Sequence, residues 1–239
     1  MRAHADLALE RRVWSSYKAL SESVREGKSD VAWLPPVVYA WLAEAVNPLG
    51  YIARGDTGSY EAALVSLEAS EYHALTDLRG ARAGWVDPWS AAGYVVPRIE
   101  LARAGIDPGK MFGVETFYGS HHEVIAALGR GECDIAGTYA QITPDEPIKG
   151  PWSSVPNLAV HVIATFTSIP SDVIAARRNL GPKEYERALE AFRLACASED
   201  ARPLVRAVFG GETLREGVDA DHDRLRSPYE RATAKVLFD

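Results

Sequence analysis

Cysteine is scarce: the 239 residues hold two, Cys133 and Cys196. They carry no paired metal spacing and make no disulfide framework. Both are expected to be buried thiols. Positive charge is also short, with 26 Lys and Arg against 33 Asp and Glu, a net charge of −7. That leaves no broad footprint for nucleic acid or an anionic membrane. It does not exclude a small anion site, because backbone N–H groups can supply the positive potential. No apolar run reaches the ~18 residues of a membrane span, so no membrane insertion is expected. At the amino end Asp6, Glu10, Arg11 and Arg12 interrupt any signal-peptide core. Either the protein stays in the cytosol or the true start lies elsewhere. No nucleophile elbow, metal-ligand cluster or Gly-rich nucleotide loop is found. GVETFYGS is not a phosphate loop, and FGGET lacks the preceding strand of a dinucleotide fingerprint.

What is present is an ordinary globular composition, 47% hydrophobic and 25% charged. The length suits one large domain or two small lobes. Helical periodicity with capping residues predicts helices over 15–27, 37–46, 90–104, 120–130, 182–197, 201–208 and 228–237. Strands are predicted at 30–36, 49–54, 60–68, 81–86, 113–117, 133–138 and 158–166, although SYEAALVSLEA also suits a helix. LALERRVW is a candidate strand, and IPSDVIAARRNL reads as a helical turn. The alternation of strands and helices predicts an α/β chain with largely parallel sheets.

Four segments then matter together: SYKALSESVREGKSDVAWLPPVVYA, LTDLRGARAGWVDPWSAAGYVVPRIELARAGIDP, FYGSHHEVIAALGRGECDIAGTY and TSIPSDVIAARRNL. In this order and spacing the chain resembles the phosphate/phosphonate-type substrate-binding proteins of ABC transporters. The resemblance implies a two-lobed type II periplasmic-binding-protein-like fold with a ligand cleft between the lobes. It implies lobe 1 at 1–55 and 166–239, and lobe 2 at 56–165 carrying an anion-binding loop. No cofactor is implied.

The resemblance also implies site residues. The family's aspartate–proline, serine–threonine–serine–glycine loop opens a helix and holds the oxyanion. Its match here is Asp87, Pro88, Trp89, Ser90, Ala91, Ala92 and Gly93. Unpaired N–H groups at a helix start and the helix dipole both favour an anion. Ser90 keeps one hydroxyl, while Ala91 and Ala92 have lost two, so a carboxylate or sulfonate ligand stays open. Ser90 also suits an N-cap. The family's glycine–serine–histidine falls on Ser120 and His121, the imidazole donating to the oxyanion. His122 is expected to face solvent. Tyr39 matches a ligand-touching tyrosine, with core packing the equal alternative. Thr138 and Tyr139 end a strand that faces the ligand in the family. Trp33 and Trp85 read as core, and Asp134 as a cap.

The family opens with a strand, a helix and a second strand before the SYKAL-like helix. Here about 14 residues precede Ser15, so the first lobe reads as incomplete at its N-terminus. Three functions follow from one fold. The first is a solute-binding protein for a small anionic ligand, partnered by an ABC permease and periplasmic as the family is. The second is a cytosolic ligand sensor, favoured by the missing signal peptide. The third is a cleft enzyme, a lyase or synthase, with only His121 and Asp87 as acid–base candidates.

Overall fold

The computed structural model describes residues 10–53, 59–143 and 145–218. In chain order the elements are α1 (Tyr17–Arg25), β1 (Val31–Leu34), α2 (Pro36–Trp41), β2 (Val46–Ala53), β3 (Ser59–Leu67), β4 (Arg82–Trp85), a wide π turn (Ala91–Val95) running into α3 (Val96–Arg103), and α4 (Pro108–Met111). Then come β5 (Val114–Phe117), α5 (His121–Gly129), β6 (Ile135–Ala140), β7 (Val160–Pro170), β8 (Val173–Arg177), α6 (Pro182–Ala197), α7 (Arg202–Phe209) and β9 (Thr213–Glu216). The chain forms two compact units, passing from the first to the second between Ser59 and Tyr60 and returning between Ile169 and Pro170.

The sheet of the first unit runs β1-β8-β2-β9, and every pairing in it is antiparallel. This corrects the expectation of largely parallel sheets. The strand–helix–strand reading of β1, α2 and β2 holds, and the two strands do run in the same direction. The antiparallel β8, from 120 residues downstream in the chain's return, is threaded between them. IPSDVIAARRNL is therefore a central strand, not a helical turn. Its residues 173–176 are fully buried, and a short apolar run buried on both faces looks alike in helix and strand. Residues 10–14 form no strand, which corrects that part of LALERRVW; its remainder and the helix expected at 228–237 lie outside the described residues. β9 was not anticipated, because TLRE shows no alternation.

Pro48 sits inside β2 at a bulge, where the register to β8 slips between Pro48 and Gly50. A bulge is where a strand tolerates a residue without an N–H. The Pro48 carbonyl is taken by the Tyr185 hydroxyl at 2.6 Å. Gly50 is required for another reason, since a Cβ there would lie 2.3 Å from the Arg215 carbonyl oxygen of β9. Helices α6 and α7 close this face through Ile174, Leu49, Ile52, Leu189 and Val205.

The second unit has a five-stranded sheet, β5-β4-β6-β3-β7. β4 is parallel to both β5 and β6, while β3 runs antiparallel to β6. SYEAALVSLEA is a strand: residues 62–66 are buried, as suits a strand covered on both faces. One face packs Val65, Val124, Ile125 and Leu128 of β3 and α5. The other packs Leu64, Trp85, Leu101 and Ile135 of β3, β4, α3 and β6. The crossovers β4–α3–β5 and β5–α5–β6 therefore lie on opposite faces. In open α/β sheets such a switch point, at the carboxyl ends of the parallel strands, is where ligands bind.

Ile174 is 1% exposed and central to its sheet, whereas Leu204 on α7 is 67% exposed. Ile174→Ala is expected to lower the unfolding free energy by about 2–5 kcal/mol in urea melts, while Leu204→Ala changes it by less than about 0.5 kcal/mol.

Candidate functional site

The chain leaves β4 through a tight reversal. The Asp87 carboxylate (Oδ1) accepts the Trp89 N–H at 2.8 Å, and the Asp87 carbonyl accepts the Ser90 N–H at 2.9 Å. The Ser90 Oγ accepts the Gly93 N–H at 3.1 Å, so Ser90 is the N-cap of the turn that follows. That turn is wide: the Ser90 carbonyl bonds the N–H of Val95, five residues on, at 3.0 Å. Pro97 explains the width. It has no N–H to donate, and its ring would strike the carbonyl four residues back, that of Gly93. The Gly93 carbonyl turns to the strand instead and accepts the Val86 N–H at 3.3 Å. Gly93 must be glycine, because a Cβ would lie 2.4 Å from Val86 Cγ2.

This arrangement uses the amides of Trp89, Ser90 and Gly93. The N–H groups of Ala91 and Ala92 have no acceptor among the described residues. Ala91 and Ala92 are 3% and 1% exposed. Two adjacent donors thus sit at the positive end of a helix, with no acceptor among the described residues.

The loop after β5 is pinned to the loop after β4. Tyr118 N–H bonds the Trp85 carbonyl at 2.8 Å, and Gly119 N–H bonds the Val86 carbonyl at 2.7 Å. Gly119 turns the chain with φ +82. Ser120 caps α5 by accepting the Glu123 N–H at 3.1 Å. His121 opens the helix, and its Nδ1 meets Thr138 Oγ1 of β6 at 2.9 Å. Thr138 is wholly buried, so this bond fixes the imidazole. Tyr139 lies edge-on to the His121 ring at 5.0 Å. It also meets Tyr60 at 6.1 Å, a neighbour that sequence reasoning missed because β3 was ambiguous there.

Ser90, Ala91, Ala92, Gly93, Ser120, His121, Thr138 and Tyr139 are therefore gathered at the carboxyl ends of three neighbouring strands of the second unit. Tyr39 belongs to the first unit, in α2, and is fully buried. His122 is exposed, as expected. Trp85 is fully buried, but Trp33 is 38% exposed, with its ring edge-on to Phe209 at 4.9 Å. The core reading of Trp33 is corrected: β1 lies at a sheet edge.

The turn is supported from behind by Trp85. Its Nε1 donates to the Glu115 carboxylate at 2.7 Å, which also takes Arg98 at 2.5 Å. The Arg98 guanidinium lies 5.0 Å from the Tyr94 ring centre, a cation–π contact. At the opposite, amino end of the sheet, Asp134 accepts three bonds from the Arg82 side chain and one from its backbone N–H. The Arg82 side-chain hydrogen bonds hold the Asp134 carboxyl below the usual range, against the opposing pull of burial. Cys133 is buried, and desolvation pushes its thiol up to about 12. It is an inert packing residue. Cys196 is half-buried rather than buried.

Residues 1–222 match the family of ABC transporter, phosphonate, periplasmic substrate-binding proteins. The chain belongs to that family. It is 25% identical over 187 residues to the phosphate-import protein PhnD of Mycolicibacterium smegmatis, covering 72% of this chain and 57% of that protein. The chain thus spans little more than half the length of that relative. Its fold is similar to a binding-protein component of an ABC phosphonate transporter from Pseudomonas aeruginosa, with a TM-score of 0.78, 18% identity, and 99% of this chain and 80% of that chain covered. It is also similar to PhnD1 of Prochlorococcus marinus in complex with methylphosphonate, with a TM-score of 0.76, 14% identity and coverages of 99% and 89%. These likenesses bear out the mixed α/β periplasmic-binding-protein architecture. No helix among the described residues is long and apolar enough to cross a membrane.

Two outcomes follow from this geometry. A Cβ on Gly137 would lie 2.5 Å from the Trp85 ring and 3.0 Å from the Gly93 carbonyl oxygen. Gly137→Ala is expected to cost about 1–3 kcal/mol by overpacking, read in a chemical denaturation curve. The second concerns Asp134. Its folded value is depressed, so its stabilisation is complete above the ordinary carboxylate value of about 4 and is lost as pH falls through the folded value. Asp134→Asn should be less stable than the parent at neutral pH, and the difference should close as the pH of the melt is lowered below about 4.

Proposed function

We propose that the chain is the substrate-binding component of an ABC transporter and that it holds a small oxyanion of the phosphonate or phosphate class on its second unit. The carrying observation is the pair of unaccepted N–H groups on buried Ala91 and Ala92, at a helix start above the carboxyl ends of β4, β5 and β6. Two parallel N–H donors meet two oxygens of a tetrahedral anion, and the helix dipole adds to the attraction. The Ser90 hydroxyl accepts from Gly93 and keeps its own hydrogen for an oxyanion. His121, oriented by Thr138, supplies an imidazole N–H. Every contribution is a hydrogen-bond donor, which suits binding rather than turnover. Asp87, the other acid–base candidate, is occupied in shaping the turn.

The family description supports phosphonate, the Mycolicibacterium smegmatis relative is named for phosphate, and the Prochlorococcus marinus structure holds methylphosphonate. On this reading the partner is a permease and the working compartment is the periplasm, as the family description has it. Ser120 and Tyr139 enter as supporting residues, Ser120 through its cap and Tyr139 through its ring contact with His121.

Calorimetric titration with methylphosphonate, inorganic phosphate and methanesulfonate tests this. Methylphosphonate or phosphate is expected to bind, and His121→Ala to weaken it about 10- to 150-fold, the equivalent of roughly 1.5–3 kcal/mol for a hydrogen bond to a charged group. A folded chain that binds neither phosphorus anion, or a folded His121→Ala variant of unchanged affinity, overturns the assignment.

A further inference from the structure

Away from the anion site, β7 and the segment that follows β3 bring two histidines together. The His73 and His161 rings lie 4.6 Å apart, centre to centre, tilted by 39°. Each has one nitrogen against a backbone carbonyl: His73 Nε2 lies 3.2 Å from the Glu68 oxygen, and His161 Nε2 lies 3.0 Å from the His73 oxygen. A carbonyl only accepts, so both Nε2 atoms carry the proton in these bonds and both neutral rings keep a lone pair on Nδ1. Neither Nδ1 has a hydrogen-bond partner among the described residues.

This is the outer shell that metal-binding histidines ordinarily have. Such a histidine donates its other N–H to a carbonyl or carboxylate, which fixes the tautomer and raises the basicity of the ligating nitrogen. The ring separation is also suitable. Two imidazoles side by side on one ion, with each nitrogen at about 2.0–2.1 Å, have ring centres from roughly 4.5 Å apart at a right angle to about 5.2 Å at the tetrahedral angle, so the observed separation lies at the near end of that range.

The segment is already ordered for the task. Ser66 Oγ donates to the Tyr72 carbonyl at 2.6 Å, and the Glu68 N–H bonds the Ala159 carbonyl of the β7 approach at 3.0 Å. The Asp77 carboxylate accepts the N–H groups of His73 and Ala74 at 3.2 and 2.9 Å. Those backbone bonds hold its carboxyl below the usual range, so it stays ionised. Glu68, Glu71 and Asp77 are the charged residues of this segment, all acidic, and no Lys or Arg lies between 68 and 77. His73 is exposed and His161 is half-buried, so an ion reaches them from solvent.

We propose that His73 and His161 form a two-histidine site for a divalent transition-metal ion that prefers nitrogen ligands, of the zinc class. Among the described residues no group of three or more His, Cys, Asp or Glu donors is gathered. The protein therefore contributes two ligands through the paired Nδ1 atoms, and water fills the remaining positions. The site is independent of the anion-binding reading, and neither stands on the other.

Calorimetric titration of the whole chain with ZnCl2, in buffer containing excess MgCl2, is the test. The parent chain is expected to take up one Zn2+ at this site. His73→Ala and His161→Ala are each expected to weaken that uptake by at least about 10–100-fold, the range already seen for lost outer-shell partners. His122→Ala, at an exposed helical position, should leave it unchanged. Nitrogen-15 NMR of the parent imidazoles provides a reading that needs no variant: Zn2+ should shift Nδ1 of His73 and His161 while both Nε2 protons persist. No Zn2+ uptake by the folded parent, uptake that survives both substitutions, or shifts confined to other histidines overturns the site.

Discussion

The contact between the buried Trp85 ring and the bare backbone of Gly137 is the constraint on which the geometry of the Ser90–Gly93 turn, the proposed anion site, depends. Trp85 ends β4 and is wholly buried. Its indole N–H reaches across to Glu115 of β5, and its ring edges meet Tyr94 at 5.5 Å and Phe112 at 5.4 Å. Gly137, next to Thr138 in β6, lies against the ring and under the Gly93 carbonyl. One aromatic side chain thereby sets the spacing of three strand ends and of the turn above them. Close-packed interiors transmit displacement rather than absorb it. A shift of the ring would separate Ser90 from His121 without changing either residue.

Much of the second unit was legible in the sequence. Ser90, Gly105, Ser120 and the run HHEVIAALG mark caps and an amphipathic helix, and they fall where the structure has them. The family resemblance directed attention to the turn from Asp87 to Gly93, and the structure does place a helix start directly after a strand there. The pairing partners of strands were not legible. Nothing in residues 173–177 announces that they will pass between two strands from the first 53 residues, since register and neighbour are set by distant surfaces. Tyr60 and Gly137 were missed for the same reason: a tyrosine at a strand start and a glycine within a strand acquire meaning only from what packs against them.

The π turn shows how a local covalent feature shapes chemistry several residues away. Pro97 withdraws one helical hydrogen bond, and the chain widens to compensate. The freed Gly93 carbonyl ties the turn to Val86. That tie brings the start of α3 down onto the strand ends, leaving the amides of Ala91 and Ala92 without an acceptor among the described residues. A regular α-helical start of the same sequence would also leave amides unpaired, but it would lack the Gly93–Val86 tie that fixes their direction.

The two alanines then have a physical rationale. Positions 91 and 92 are 3% and 1% exposed, and a hydroxyl buried there needs a hydrogen-bond partner or costs about 1–3 kcal/mol. With an oxyanion bound as proposed, the anion would be that partner. Without ligand, serine or threonine would have to turn back onto the backbone and compete with the turn's own bonds. Alanine removes that competition, so the ligand-free turn keeps one hydrogen-bonded arrangement. The backbone N–H groups do not depend on side-chain identity, so the donors on which the proposed anion site rests are unaffected by the alanines. On the proposed reading the loop gives up side-chain donors in exchange for a preformed geometry, the balance expected where affinity comes from fixed amides rather than from recruited side chains.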